Sequence, residues 1–147
     1  MTGKLIYLVV AGVAGAAMAV QGTLNAALGK IIGLWESTFF VHLVGMIVVI
    51  IILFGFKQGH GDWSLLDQAP WYTYLGGLLN VLIIFGVVSS IPKVGVGDAT
   101  TMIIVLQILS AVAIDHFGLF GMTKVPCKWW DLLGIALLGV GAKLLLR

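Results

Sequence analysis

Apolar residues fill this chain in five long stretches separated by short polar segments. A helix needs about 20 residues to cross the roughly 30 Å hydrocarbon core of a bilayer. The stretches run Leu5–Leu28, Phe39–Phe56, Pro70–Ile91, Val94–Ile114 and, somewhat shorter, Trp129–Leu146. The pattern predicts an all-α integral membrane fold, a single transmembrane domain of residues 1–147 with helices at about 5–28, 34–56, 70–91, 94–114 and 129–146.

The first apolar stretch also has features of a signal peptide. Lys4 precedes it, and Ala17-Met18-Ala19 matches the small-residue pattern of a cleavage site. The stretch continues to Leu28, however, which is longer than a signal core. We therefore expect it to be retained as the first span.

We expect Pro92 and Pro126 in connections between helices, where a missing backbone N–H is harmless.

The basic residues divide evenly between the two sides of the membrane that five spans imply. Four lie on the side of the N-terminus: Lys4, Lys57, Lys124 and Lys128. Four lie on the opposite side: Lys30, Lys93, Lys143 and Arg147. Orientation normally follows an excess of Lys and Arg in the cytoplasmic loops. Because there is no excess here, we expect the chain to insert both ways or to take its orientation from a partner. The alternative is that local charges near the first helix decide.

An odd number of spans puts the two termini on opposite sides of the membrane. A second, inverted copy would then create a two-fold axis in the membrane plane, a symmetry that many transporters use. With 147 residues, the chain is too small to enclose a large substrate path alone. We therefore expect an oligomer surrounded by membrane lipid.

Composition narrows the function classes. Charged residues make up 10% of the chain, against about 25% in ordinary soluble domains, and a net charge of +2 with scattered basic residues gives no reason to expect nucleic-acid binding. The single cysteine excludes an internal disulfide, and the three histidines have no metal-ligand spacing. No catalytic motif is present. We expect neither an enzyme nor a cofactor or metal.

Polar side chains inside the predicted spans are the candidates for a substrate site, because such groups usually face a bundle interior or a water-filled cavity. Gln21 and Asn25 lie four residues apart on the first helix, Asn80 stands alone on the third, and Gln107 is near the middle of the fourth. Each could line a pathway. Each could equally form hydrogen bonds between helices.

Glu36 is the candidate for proton or cation coupling, because a desolvated carboxylate tends to hold a proton. Near the start of its helix it could instead complement the helix dipole. Trp35 and Phe39 could contact an apolar or cationic substrate. His42 lies deeper and is more typical of a neutral, hydrogen-bonded histidine than of a proton relay.

Three residues near helix ends have two interpretations. Asp98 is typical of an N-terminal cap or first-turn acid at the start of the fourth helix, and the alternative is a role in a proton relay. Asp115 and His116 close that helix, and they could shuttle protons or simply end the helix, with Gly118 turning the chain.

Several of these residues form a pattern that resembles the small YdcZ-like proteins, bacterial inner-membrane members of the drug/metabolite transporter superfamily. The matching segments are Gln21-x-x-x-Asn25-x-x-Leu28-Gly29, Ser37-x-Phe39, Pro70-Trp71 with Gly76-Gly77, Gln107, and Ile114-Asp115-His116-Phe117-Gly118, followed by a Gly-rich last helix. The resemblance implies a five-helix half-unit of an inverted-repeat bundle, which would pair as an antiparallel homodimer or with a sister subunit.

The hypothesis is therefore a secondary transporter or exporter of a small organic solute across the bacterial inner membrane, working by alternating access. The resemblance does not select a substrate, because relatives in the superfamily move cations, amino acids, sugars or nucleotide derivatives. The alternative is a non-transporting membrane scaffold or accessory subunit, which explains the helices equally well. It explains less well why Gln21, Asn25 and Gln107 are embedded together.

Overall fold

The computed structural model describes residues 2–146, except the side chain of Thr2, and these residues form helices and connections without any strand. Met1 and Arg147, which the predicted domain and the charge comparison include, lie outside the described residues. The α-helices are α1 (Thr2–Ile32), α2 (Leu34–Ile50), α3 (Leu75–Val94), α4 (Val96–Phe117) and α5 (Trp129–Leu145). A π-helical segment, Ile51–Gly55, prolongs α2, and short 3-10 helices cover Trp63–Gln68, Trp71–Tyr74 and Leu119–Gly121.

Within the described residues, four helical segments are long and apolar enough to cross a membrane: Gly3–Ile32, Leu34–Gly55, Trp71–Val94 and Val96–Phe117. The first has 30 residues and is about 45 Å long at 1.5 Å per residue. It is therefore longer than the hydrocarbon core is thick, and it must tilt or project from the bilayer. With 17 residues, α5 is about 26 Å long, and a fifth span stays a prediction.

The described chain forms two compact units, one ending at Lys93 and one beginning at Val94. The first contains α1, α2 and nearly all of α3, and the second contains α4 and α5. Most large apolar side chains in both units are exposed on the protein surface. This is the distribution expected where lipid rather than water surrounds the helices, since lipid tails solvate apolar side chains as well as a protein interior does.

Single glycines join two pairs of consecutive helices. Gly33 joins α1 to α2 with φ 103° and ψ 159°, and Gly95 joins α3 to α4 with φ 89° and ψ 163°. Side chains are essentially excluded from this backbone region. The backbone hydrogen bonds continue through the first junction, since the Gly33 N–H donates to the Gly29 carbonyl and the Gly33 carbonyl accepts from the Ser37 N–H. The glycine allows the chain to change direction between two helices without a loop.

Two glycines of α1 allow α3 to approach closely. A Cβ atom on Gly22 would lie 2.9 Å from Val87 Cγ1, and one on Gly29 would lie 2.5 Å from Val88 Cγ1. Between them Ala26 is buried. Small residues that bring helix backbones together are the usual basis of packing in membranes, where the hydrophobic effect gives little drive between helices.

One sequence prediction about prolines is wrong. Pro92 lies inside α3, which continues to Val94, rather than in a connection. Proline removes the hydrogen bond to the carbonyl four residues earlier, but transmembrane helices tolerate this where neighbouring groups compensate. Because Pro92 lies two residues before the end of α3, the missing hydrogen bond affects only the last turn of the helix. Pro126 lies in the α4–α5 connection, as expected.

Candidate functional site

The beginning of α2 carries two buried hydroxyl side chains. Ser37 is fully buried and Thr38 nearly so, and both hydroxyls donate to the Leu34 carbonyl, at 3.0 and 2.8 Å. Hydroxyls that bond to their own helix backbone need no partner on a neighbouring helix. Ser37 Oγ also lies 3.2 Å from where a Cβ atom of Gly29 would be. Ser37 therefore packs against α1, and neither hydroxyl is exposed to lipid.

One turn further along α2, His42 joins two helices. Its Nδ1 lies 2.7 Å from the carbonyl oxygen of Thr38, and its Nε2 lies 3.0 Å from Asn80 Nδ2 on α3. Because a carbonyl can only accept, Nδ1 carries the proton and Nε2 accepts from the Asn80 amide. His42 is half-buried and Asn80 is exposed. This hydrogen bond links the side chains of two different helices of the first unit.

The two amides predicted to share a face of α1 differ in environment. Asn25 is 7% exposed and belongs to the buried face that also contains Gly22, Ala26 and Gly29. Gln21 is exposed. The four-residue spacing places both side chains on one side of the helix, but α3 covers only part of that side. The structure therefore places Asn25 in the helix interface and leaves Gln21 at its edge.

The predicted aromatic and acidic residues of α2 lie in its first two turns. Trp35 stacks on Phe85 of α3, with ring centroids 4.4 Å apart and an interplanar angle of 32°. The Glu36 side chain folds back over Gly33 and remains exposed. Phe39, one turn after Trp35, is 70% exposed. The first unit thus presents an aromatic pair, an exposed carboxylate and an exposed phenyl ring at the start of α2.

The second unit contains the remaining candidates. Gln107 is exposed near the middle of α4, and Asp98 lies in its first turn. An acid in the first turn is stabilised by the positive end of the helix dipole.

The end of α4 is a hydrogen-bonded turn. The Asp115 carbonyl accepts from the Val125 N–H at 2.8 Å, and His116 Nδ1 accepts from the Cys127 N–H at 2.9 Å. Gly118 caps the helix with φ 65°. His116 therefore holds the α4–α5 connection against the helix end. Its Nε2 carries the proton in this neutral form.

The structure brings together only some of the predicted site residues. Trp35, Glu36 and Asn80 lie in the first unit with Asn25, Gln21 and Phe39, while Gln107, Asp98, Asp115 and His116 belong to the second. Two participants were not predicted. Phe85 stacks on Trp35, and the Thr38 carbonyl fixes His42. Neither has a sequence signal, because a phenylalanine or a threonine in an apolar helix is common.

In the part of the chain that the structure describes, neither a metal-ligand cluster nor the cavity beside the α2–α3 connection coincides with the polar contacts of α2 and α3. Among residues 2–146 no group of three or more His, Cys, Asp or Glu side chains could hold a metal ion. An open cavity of about 370 Å³ lies beside the α2–α3 connection, lined by residues such as Leu53, Asp62 and Trp63. It shares no residue with the polar contacts of α2 and α3. Polar groups within a span are costly and usually functional, whereas an open surface cavity is not, so the polar contacts of α2 and α3 mark the candidate site.

Fold and polar residues together define a multi-pass membrane protein that carries amide, carboxylate and imidazole groups within its apolar helices. A family described as "putative inner membrane exporter, YdcZ" matches residues 6–144. The chain therefore belongs to the YdcZ family and is a multi-pass protein of the inner membrane. No curated protein and no solved structure matches it. The family description supports a transporter rather than an enzyme.

Proposed function

We propose that this protein exports a small organic solute by alternating access, as an antiparallel pair of identical chains. The family description, the four membrane-capable helices and the equal division of basic residues support this proposal. Two oppositely oriented copies would form the inverted symmetry that places a transport site near the middle of the membrane.

The observation that carries the proposal is the exposure of three amide side chains within the spans. Gln21, Asn80 and Gln107 are exposed on the single chain, although the Asn80 amide also donates to His42 Nε2. An amide that leaves water without finding a hydrogen bond costs roughly 4–8 kcal/mol on a cyclohexane scale. Such groups normally face protein or a water-filled cavity. A second chain that covers these faces, with a solute path between the copies, gives the amides polar surroundings.

We assign roles to the candidates on this basis. Gln21, Asn80 and Gln107 line the path between the two copies, with Asn25 in the helix interface next to Gln21. Trp35 and Phe39 provide aromatic surface for an apolar or cationic part of the solute. Glu36, exposed at the start of α2, is the candidate for binding a cation or proton.

Reconstitution of the purified chain into proteoliposomes tests this function. The vesicles contain a pH-sensitive dye and are exposed to separate panels of organic cations, organic anions and neutral solutes, with and without a pH gradient. We expect at least one panel member to move at a rate above that of protein-free vesicles. We expect Gln107→Leu to reduce that rate at least tenfold. Leu106→Met, a change of similar volume at the neighbouring exposed position, is the matched control.

The same experiment separates transport from the scaffold alternative. An accessory subunit would give no flux by itself with any of the three panels. Flux that appears only after addition of a second membrane protein would contradict the homodimer and favour a sister subunit.

Coupling by Glu36 has its own test. We expect Glu36→Gln to abolish the response of solute flux to a pH gradient. Normal pH-driven flux in this variant would remove the coupling role of Glu36 and leave the transport function intact.

A further inference from the structure

We propose that His42 is a proton-binding site of this protein, and that binding of the proton reverses the hydrogen bond between His42 on α2 and Asn80 on α3. The proposal deepens the function proposed above, because it names a group through which a proton gradient could act on the helices. It concerns a residue other than Glu36 and a position deeper in the span.

Both ring nitrogens of His42 are fully used in the observed state. Nδ1–H donates to the Thr38 carbonyl at 2.7 Å, and Nε2 accepts from Asn80 Nδ2 at 3.0 Å. The Thr38 carbonyl is part of the α2 backbone and cannot donate, so it requires a proton on Nδ1 whatever the charge of the ring. An added proton can therefore bind at one place, the Nε2 lone pair that faces Asn80.

Protonation at Nε2 changes what Asn80 must present. The imidazolium has an N–H at both nitrogens, and an N–H that faces the Asn80 N–H₂ group places two donors against each other. The hydrogen bond can form again only if the amide turns, so that Asn80 Oδ1 accepts from His42 Nε2–H. Since Asn80 is exposed on the single chain, its amide has room to turn. The amide orientation thus reports whether the proton is bound.

The position within the span makes this proton costly unless the helices move. His42 is the ninth residue of the Leu34–Gly55 segment, about 12 Å along the helix from its start. A charged side chain at the centre of a bilayer costs about 2.5–3.5 kcal/mol on insertion scales. The protonated form is therefore favoured in a conformation that admits water to His42, and the neutral form in one that excludes it.

Few other titratable groups lie on the helices of the first unit at this depth. On α1 there is none between Leu8 and Gly29, and on α3 there is none between Leu75 and Ile91. On α2 the only other group is Glu36, six residues or about 9 Å nearer the helix start.

The first test reads the hydrogen bond directly and needs no transported solute. In the purified protein with ¹⁵N-labelled histidine and asparagine, we expect a scalar correlation between Asn80 Nδ2 and His42 Nε2 at alkaline pH. Acidification should remove it while a proton appears on Nε2. Asn80→Leu should remove it at every pH. A neutral His42 with its proton on Nε2, or a correlation that persists unchanged in acid, would overturn the proposal.

The second test counts protons. When the purified protein is titrated from alkaline to acid pH, His42→Gln should bind one proton fewer per chain than the wild type. His60→Gln, in the α2–α3 connection, is the matched control and should also lose one, which calibrates the method. An unchanged count for His42→Gln would mean that His42 stays neutral and would overturn the proposal. If this variant does not fold, the wild-type resonances decide the question.

The third test connects the site to transport, using a solute that moves in the proteoliposome assay. A pH gradient should accelerate solute flux in the wild type. We expect this acceleration to be at least tenfold smaller in His42→Gln and unchanged in His60→Gln. Acceleration retained in His42→Gln would contradict the link to transport. Absence of flux in the wild type would contradict the proposed export function, while the first two tests would still establish or refute the proton site.

Discussion

Replacement of Gly29 by alanine tests the close approach of α1 and α3, on which the first unit depends. The new Cβ atom would lie 2.5 Å from Val88 Cγ1 and 3.2 Å from Ser37 Oγ. Favourable carbon–carbon contacts are at about 3.5–4.0 Å, so Val88 must move by about 1 Å. Val88 is 2% exposed and has one preferred rotamer in a helix. We therefore expect the helices, rather than the side chain, to move apart.

The size of the effect follows from two opposing contributions. An extra methyl group in a well-packed site costs about 1–3 kcal/mol. Alanine is favoured over glycine inside a helix by about 0.8–1.0 kcal/mol. Gly15→Ala on the same helix has the second contribution alone, because nothing lies within 4 Å of its Cβ position. The difference between the two variants therefore isolates the packing cost, about 1–3 kcal/mol or roughly 5- to 150-fold in the unfolding equilibrium.

Unfolding of the purified variants in detergent micelles, followed by circular dichroism, measures this difference. Gly22→Ala should fall between the other two, since its Cβ atom would lie 2.9 Å from Val87 Cγ1 and 3.3 Å from the mobile end of Ile91. Adding Val88→Ala to Gly29→Ala should recover part of the loss, because it removes the clashing methyl group. Equal stabilities for Gly29→Ala and Gly15→Ala would refute the close approach.

Three further predictions concern other parts of the first unit. Gly33→Ala should lower the free energy of unfolding by about 1–3 kcal/mol, because a side chain at φ 103° is strained; an unchanged thermal midpoint would contradict this. A double-mutant cycle with Trp35→Ala and Phe85→Ala should give a coupling energy of about 0.5–1.5 kcal/mol in the same unfolding assay, whereas additive effects would show that the rings do not interact. Hydrogen bonds from the Ser64 hydroxyl and N–H lower the pKa of Asp62, so this carboxylate stabilises the turn at higher pH and less as the pH falls through its lowered pKa. Ser64→Ala should raise the Asp62 pKa in an NMR titration, and no change would show that the hydroxyl contributes nothing.

The helices could be predicted from the sequence because long apolar stretches are a strong signal. Their ends were harder to predict. The first stretch was expected to end at Leu28, but α1 continues to Ile32, since Gly33 rather than Lys30 is the residue that changes the backbone direction. Pro92 was expected to end a helix and instead lies inside one. In both cases local composition was a weaker guide than backbone conformation.

The candidate site was harder to predict than the helices. Polarity within an apolar stretch singled out Asn80 and His42, but not the hydrogen bond between them. They are 38 residues apart, and the contact depends on how two helices face each other. Spacing on α1 grouped Gln21 with Asn25, while the structure buries only Asn25. The packing of the helices decides which side of α1 is covered, and this packing cannot be predicted from a single sequence.

Two oppositely oriented copies are the central claim, and Cys127 tests it most directly. It is the only cysteine, it lies between α4 and α5, and it is partly exposed. Intact cells that produce the protein are labelled with a membrane-impermeant maleimide and compared with permeabilised cells. The antiparallel pair predicts that about half of the chains react in intact cells and all react after permeabilisation. Complete labelling of intact cells, or labelling only after permeabilisation, would show one fixed orientation and contradict the antiparallel homodimer.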